Sequence, residues 1–63
     1  MVCVIDGITY RWGGGEYVEL HASADAAPFD LFNVWDYATG APRVARTFNA
    51  FEAACVEHAT EAA

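Results

Sequence analysis

Apolar and polar residues alternate most clearly at the start of the chain, on both sides of the dipeptide Asp6–Gly7. Aspartate followed by glycine between two β-prone runs is typical of a two-residue hairpin, because a type I′ turn needs a positive φ at both positions. Folding the chain at this turn places Ile5 opposite Ile8 and Met1 opposite Trp12. Side chains alternate between the two faces of a strand, so one face of the hairpin is apolar. Its members are Met1, Cys3, Ile5, Ile8, Tyr10 and Trp12, whereas Val2, Val4, Thr9 and Arg11 form a mixed opposite face.

A third strand follows the three glycines at positions 13–15. The glycines break regular structure and permit a reversal of the chain. They precede neither a Lys-Ser/Thr pair nor a helix start, so a phosphate-binding loop is not indicated. Residues 16–22 then alternate, with Val18 and Leu20 on one face, and predict a strand antiparallel to the second. A breaker-rich loop ends this part of the chain at Pro28.

The fourth predicted strand covers residues 30–36 and carries large apolar groups on both faces. Phe32 and Val34 share one face, and Leu31 and Trp35 share the other. Residues 37–40 are typical of a second hairpin loop, with Gly40 at the position that needs a positive φ. Residues 41–45 then predict a fifth strand, at an edge because Pro42 cannot donate a ladder hydrogen bond.

The C-terminal segment predicts a helix with one narrow apolar stripe. Asn49 with Glu52 fits a variant of the capping box, and Thr47 is an alternative cap. Such a helix must cover an apolar surface, and the sheet offers one. We therefore expect a single α+β domain over residues 1–63, with a four- or five-stranded antiparallel sheet and the C-terminal helix packed across one face. The residues predicted between sheet and helix are Ile5, Ile8, Val18, Leu20, Phe48 and Phe51.

Charge narrows the range of partners. The net charge is −6, from nine acidic residues against three arginines and no lysine. Phosphate binding requires clustered basic residues, so direct binding to nucleic acid or to an anionic membrane surface is not expected. No signal peptide or apolar run long enough to span a bilayer is evident, which predicts a cytoplasmic protein. In a reducing cytoplasm Cys3 and Cys55 are expected to stay free thiols, with a single disulfide as the alternative, and the sequence leaves open whether they are neighbours.

Candidate chemistry is sparse. Cys55 and His58 lie one helical turn apart, the spacing of half a metal site, but the second half is missing because zinc needs three or four ligands. The same pair does not form a nucleophile and base without a cleft and oxyanion donors. Scattered carboxylates without a calcium-loop motif are expected to be solvated rim charges. The sequence therefore predicts no enzyme, no metal and no cofactor.

The aromatic content instead suggests a binding surface. Four Phe, three Tyr and two Trp residues are many for one short helix to cover, and exposed apolar patches mark partner sites. Tyr10 and Trp12 lie far from the hairpin turn, where the helix is expected not to reach. The predicted protein-interface residues are Trp12, Leu31, Trp35 and Tyr37. A twofold homodimer with Trp35 at or near its interface is the simplest way to cover them.

Three segments carry a resemblance to a known family: residues 13–20, 32–36 and 42–48. Their order of glycine turn, Val-Glu strand, strand ending in Asp36 and Thr-Phe before the last helix resembles small actinobacterial proteins of unknown function, which include developmental regulators of the BldB type. The chain differs in its added Asp6–Gly7 hairpin and in lacking a serine after Asp36. It also looks like a small orphan protein of an actinobacterial phage. Either resemblance implies regulation through protein contact and supplies no catalytic residues.

The function predicted from the sequence is that of a non-enzymatic protein-interaction module, an accessory or regulatory protein that binds another protein. The alternative is an acidic decoy that mimics nucleic acid and occupies a nucleic-acid-binding protein. The net charge of −6 motivates the decoy, although the acids are scattered rather than clustered. Salt-sensitive binding would favour the decoy, and salt-tolerant binding would favour an apolar interface.

Overall fold

The computed structural model describes residues 1–44 and 46–62, and these residues form six strands and one helix. The elements are β1 (Val2–Ile5), β2 (Ile8–Arg11), β3 (Tyr17–His21), β4 (Pro28–Asn33), β5 (Trp35–Asp36), β6 (Ala41–Pro42) and α1 (Phe48–Ala62). The first four strands form an antiparallel sheet in the order β1–β2–β3–β4, and β5 pairs with β6 in a separate two-stranded sheet. The predicted α+β fold with an antiparallel sheet and a C-terminal helix is confirmed.

The first hairpin has the turn and the register that its sequence predicts. Asp6 and Gly7 both have positive φ, 51° and 80°, as a type I′ turn requires. Ile5 pairs with Ile8 across the turn, and the ladder continues toward the chain terminus. The predicted pair of Met1 and Trp12 at the end of the hairpin is joined through its backbone, because the Trp12 amide donates to the Met1 carbonyl at 2.8 Å.

The predicted fourth strand is wrong in one respect: it is two strands that belong to different sheets. The chain changes sheet at Val34, which is fully buried. Its amide donates to the Glu16 carbonyl at 2.8 Å, beside the end of β4, while its carbonyl accepts from the Arg43 amide at 2.7 Å. Val34 therefore satisfies its two backbone groups with two separate parts of the chain, and Trp35 pairs with Pro42 in β5–β6.

The second hairpin is confirmed, but its return strand is shorter than predicted. Gly40 has a φ of 69°, and its amide donates to the Asp36 carbonyl at 2.8 Å. The return strand was expected over residues 41–45, whereas β6 contains Ala41 and Pro42 alone. Ala45 lies outside the described residues. The short ladder is consistent with Pro42, which has no amide hydrogen to continue it.

The helix begins at the alternative cap. The Thr47 hydroxyl accepts a hydrogen bond from the Ala50 amide at 3.2 Å, and the Thr47 carbonyl accepts from the Phe51 amide at 3.0 Å. Asn49 lies inside the helix, so the predicted capping box with Glu52 is wrong. A threonine hydroxyl at this position satisfies one of the amides that a helix leaves free at its start.

The core lies between the four-stranded sheet and α1. Its buried apolar residues are Cys3, Tyr10, Trp12, Val18, Leu20, Val34, Val44, Phe51 and Cys55. Ile5 and Ile8 pack against this cluster and are partly buried, as expected for residues beside the hairpin turn. Phe48 does not belong to the core as predicted, because its side chain is 46% exposed at the first position of the helix. The buried stripe begins one turn later, at Phe51.

Trp12 is buried in the core, which corrects the prediction that the helix does not reach it. Only 3% of the residue is exposed, and its ring stacks on Phe51 with centroids 6.1 Å apart and planes 17° apart. Its indole Nε1 donates to the Gly15 carbonyl at 2.8 Å. Tyr10 is also 3% exposed and meets the rings of Phe32 and His58 edge-on. The helix therefore covers the end of the hairpin that the sequence left uncovered.

Both cysteines are free thiols in the core cluster, and each affects the pKa of the other. Burial raises the pKa of the Cys55 thiol above its usual range, and the neighbouring Cys3 adds to that rise. Burial also raises the pKa of the Cys3 thiol, while the neighbouring Cys55 acts in the opposite direction. Burial raises the pKa of the Tyr10 hydroxyl as well. The folded state therefore favours the protonated form of all three groups.

This burial predicts that the reduced protein loses stability in alkaline solution. The stabilisation is fully present below the unfolded cysteine pKa of about 8.5 and is lost as the pH rises toward the folded pKa values, since the unfolded state then binds fewer protons. The expected slope is about 1.4 kcal/mol per pH unit for each thiol. Urea unfolding between about pH 7 and 10 with a thiol reductant measures it. A Cys3→Ala variant should show a shallower slope, and a wild-type stability that stays constant up to about pH 10 would contradict this expectation.

Candidate interaction surface

The face of the sheet opposite the helix, here called the outer face, is organised by one row of residues across all four strands. Val2 pairs with Arg11, Arg11 with Glu19, and Glu19 with Leu31. Directly paired residues in an antiparallel sheet lie on the same face. The row therefore places a positive and a negative side chain at the centre of the sheet and an aliphatic side chain at each edge.

Apolar side chains around this row are exposed. Val2 and Val4 on β1 are 48% and 64% exposed, Tyr17 on β3 is 48% exposed, and Leu31 on β4 is 50% exposed. We call these four residues, together with Arg11 and Glu19, the outer-face patch. Val2, Arg11, Tyr17, Glu19 and Leu31 line one shallow depression in the surface. Neighbouring exposed apolar side chains are typical of a surface that contacts another protein.

The loop between β3 and β4 covers the rest of the outer face. His21 and Thr9, which pair across β2 and β3, are 3% and 4% exposed. The His21 Nδ1 lies 2.8 Å from the Ala26 carbonyl oxygen, and its Nε2 lies 3.1 Å from Glu19 Oε1. Both partners are hydrogen-bond acceptors, so a protonated ring nitrogen of His21 donates to the partner that it faces. These bonds hold the loop on the sheet and fix the carboxylate of Glu19 beside the outer-face patch.

Tyr37 lies at one end of the outer face, where polar contacts hold its hydroxyl in place. The hydroxyl donates to Glu16 Oε2 at 2.8 Å and accepts from Asn33 Nδ2 at 3.0 Å. Donation to the Glu16 carboxylate raises the pKa of Tyr37 above its ordinary value. Asn33 pairs with Tyr17 across β4 and β3, which places the Tyr37 hydroxyl beside the outer-face patch. Its ring is 66% exposed and extends the apolar surface.

The four interface residues predicted from the sequence lie in three different environments. Leu31 and Tyr37 are exposed on or beside the outer face. Trp35 is partly buried in β5, and its amide donates to Asn33 Oδ1 at 2.9 Å. Trp12 is in the core and offers almost no surface to a partner. Sequence reasoning missed the charge-bearing members of the outer-face patch and its other three apolar members, namely Val2, Val4 and Tyr17, although the hairpin alternation already placed Val2 and Val4 away from the apolar face.

Cys55 and His58 have separate roles in packing. The Cys55 thiol lies in the core cluster with Cys3, whereas the His58 ring stacks on Phe32 with centroids 4.4 Å apart and planes 11° apart. Within residues 1–44 and 46–62, no three His, Cys, Asp or Glu side chains group closely enough to hold a metal ion. The absence of stoichiometric zinc in the purified protein stays a prediction. Elemental analysis checks it, and one equivalent of zinc lost in His58→Ala would contradict it.

No family model, curated protein or solved structure matches the chain. The resemblance to regulators of the BldB type, or to a phage protein, accordingly stays a prediction from the residues that suggested it. In the part of the chain that the structure describes, no helix combines the length and the apolarity needed to cross a bilayer. The outer-face patch is thus the feature from which a function can be argued.

Proposed function

We propose that this chain is a non-enzymatic protein-interaction module, of accessory or regulatory type, which binds another protein through the outer-face patch. The observation that carries this proposal is the contrast between the two faces of one sheet. The inner face is covered by α1, whereas the outer face presents Val2, Val4, Tyr17 and Leu31, each about half exposed or more. When a second surface covers a sheet face with several exposed large apolar side chains, the burial of these side chains lowers the free energy.

The chemistry of the patch favours a protein over other partners. Arg11 is the single basic residue in it, which is too few for a phosphate backbone. The surface is a shallow depression rather than an enclosed cavity, and small ligands bind in concave pockets that bury most of their area. The tyrosine and the arginine among its apolar side chains are residue types that are enriched at protein interfaces.

The first partner that the patch fits is a second copy of this chain. Arg11 and Glu19 are neighbours in one row, so a twofold axis through the row can place Arg11 of each copy against Glu19 of the other. The same axis covers Val2 of one copy with Leu31 of the other. This places the homodimer interface on the four-stranded sheet rather than around Trp35, as the sequence had suggested.

We expect light scattering at micromolar concentration to give twice the monomer mass of 6.8 kDa. In Leu31→Glu a charge enters the apolar end of the row, and burying an unpaired carboxylate costs several kcal/mol, so the variant should be monomeric. The matched control is Val56→Glu, because Val56 is 48% exposed on α1, close to the 50% of Leu31. The control should remain dimeric. A wild-type monomer, or equal dissociation of both variants, would contradict the twofold interface.

The dependence of binding affinity on salt concentration distinguishes the acidic decoy from this proposal. An apolar interface keeps its affinity when the ionic strength rises, whereas contacts made by scattered carboxylates lose theirs as the Debye length falls from about 10 Å at 0.1 M to about 3 Å at 1 M. We expect association through the outer-face patch to survive this change. Loss of association at high salt, with Leu31→Glu unaffected at low salt, would favour the decoy.

A further inference from the structure

The chain contains two cysteines, and the fold brings them together from its two ends. Cys3 lies in β1 and Cys55 lies in α1, and they are 8% and 0% exposed. Both belong to the buried cluster between sheet and helix, and each thiol is close enough to affect the pKa of the other. Their proximity depends on the packing of β1 against α1, which is part of the contact that closes the core. Local sequence does not bring them together.

Two thiols that neighbour each other in a closed core meet the first requirement for a disulfide, because the bond forms only where two cysteines lie close together. Cys3 and Cys55 lie in one buried cluster on two elements that pack together, and no third cysteine competes for either of them. We propose that Cys3 and Cys55 form a site of reversible oxidation, at which an intramolecular disulfide joins β1 to α1.

The oxidant is a small-molecule disulfide such as oxidised glutathione. The Cys3 thiol loses its proton, and its thiolate attacks one sulfur of the oxidant, so that a mixed disulfide forms and one glutathione thiolate leaves. The Cys55 thiol then loses its proton and attacks the Cys3 sulfur, forming the protein disulfide and releasing the second glutathione. The protein pair loses two electrons and two protons in total, and one oxidised glutathione becomes two reduced molecules.

Cys3 is the first nucleophile because of its position. β1 is an edge strand of the sheet, and Cys3 is the more exposed of the two residues. Attack requires a thiolate, which is scarce while both thiols are buried. Oxidation therefore follows a transient opening of β1 from α1 and is slow in native buffer, and it accelerates in urea below the unfolding midpoint.

The experiment compares reduced protein with protein incubated in oxidised glutathione at sub-denaturing urea and then returned to native buffer. We expect the intact mass to fall by two hydrogen atoms, and peptide mapping to locate the bond between Cys3 and Cys55. Because the bond closes a loop over most of the chain, the melting temperature should rise by about 10 °C or more. Added dithiothreitol should reverse both changes.

The single variants Cys3→Ala and Cys55→Ala provide the controls. Each retains one thiol, so each should gain at most one glutathione and show no rise in melting temperature. If Cys55→Ala does not fold, Cys3→Ala on the edge strand provides the same comparison. Products that carry glutathione on both cysteines, disulfide-linked dimers alone, or a closed form that melts below the reduced protein would each overturn the proposal. Because the bond lies on the inner face, outer-face association should persist in the oxidised protein, so the two proposals are tested separately.

Discussion

The Phe51→Ala variant is expected to lose most or all of the cooperative unfolding transition of the wild-type protein. Phe51 is 0% exposed and is among the largest fully buried side chains of the described residues. It stacks on Trp12 and lies at the start of the stripe by which α1 contacts the sheet. Removing a buried phenylalanine ring costs about 3–5 kcal/mol. The whole stability of a chain this short is about 3–9 kcal/mol, at about 0.05–0.15 kcal/mol per residue.

The matched control is Phe48→Ala, which removes the same ring from the same helix one turn earlier. Phe48 is 46% exposed and contacts Phe51 with ring centroids 6.0 Å apart. Its loss should cost about 1 kcal/mol or less, in the range of partly exposed positions. Urea denaturation followed by circular dichroism at 222 nm measures both variants. Equal destabilisation by the two substitutions would contradict the position of the helix on the sheet.

Trp12→Ala should produce the second large loss of stability. The indole ring is buried against Phe51, and its Nε1 hydrogen bond to the Gly15 carbonyl holds the glycine loop at 2.8 Å. Truncation leaves a large cavity and an unpaired carbonyl, with an expected cost of about 3–5 kcal/mol. Trp12→Phe keeps most of the apolar ring and loses the hydrogen bond, so it should cost about 1–2 kcal/mol.

The matched control for Trp12 is Trp35→Ala, because the sequence alone assigned both tryptophans to an interface. Trp35 is partly buried in the two-stranded sheet, outside the cluster of buried core residues. Its truncation is expected to cost about 1–2 kcal/mol. Urea unfolding of both variants measures which of the two substitutions lowers the free energy of unfolding more. If Trp35→Ala is the more destabilising, Trp12 is not the core residue that the structure indicates.

Turn chemistry explains why the first hairpin could be predicted residue by residue. Asp6 and Gly7 accept the positive φ values of a type I′ turn, and a two-residue turn fixes the register of both strands. Gly40 similarly marked the second hairpin. The alternation of Val18 and Leu20 placed them on the buried face of β3. These features depend on short-range geometry, which a sequence carries directly.

The features that the sequence did not give depend on contacts between distant segments. The alternation of side chains in residues 30–36 continues through Val34. No local pattern therefore marks Val34 as the residue whose amide bonds to Glu16 and whose carbonyl bonds to Arg43. The reach of the helix over Trp12 and the meeting of Cys3 with Cys55 depend on how α1 lies on the sheet. Side-chain period does not determine that placement.

The proposed interaction surface could be predicted from the sequence only in part, for the same reason. Leu31 could be selected because large apolar residues on both faces of a strand suggest an interface, and Tyr37 because tyrosine is common at interface hot spots. Trp12 was selected on the assumption that the helix is too short to cover it, which the structure contradicts. Val2 and Val4 gain significance only when the register aligns Val2 with Arg11, Glu19 and Leu31 in one row. A row across four strands is a property of the sheet and of no single segment.

Site-specific photo-crosslinking in the native host tests most directly whether the outer-face patch is the binding surface. A photoreactive amino acid is placed at Leu31 or, as the matched control, at Val56, which is similarly exposed on α1. We expect a discrete protein adduct from position 31, identified by mass spectrometry as a second copy or another protein, and none from position 56. Excess wild-type protein should suppress the adduct, and excess Leu31→Glu should not. Adducts of equal yield at both positions, or from position 56 alone, would contradict binding through the outer-face patch.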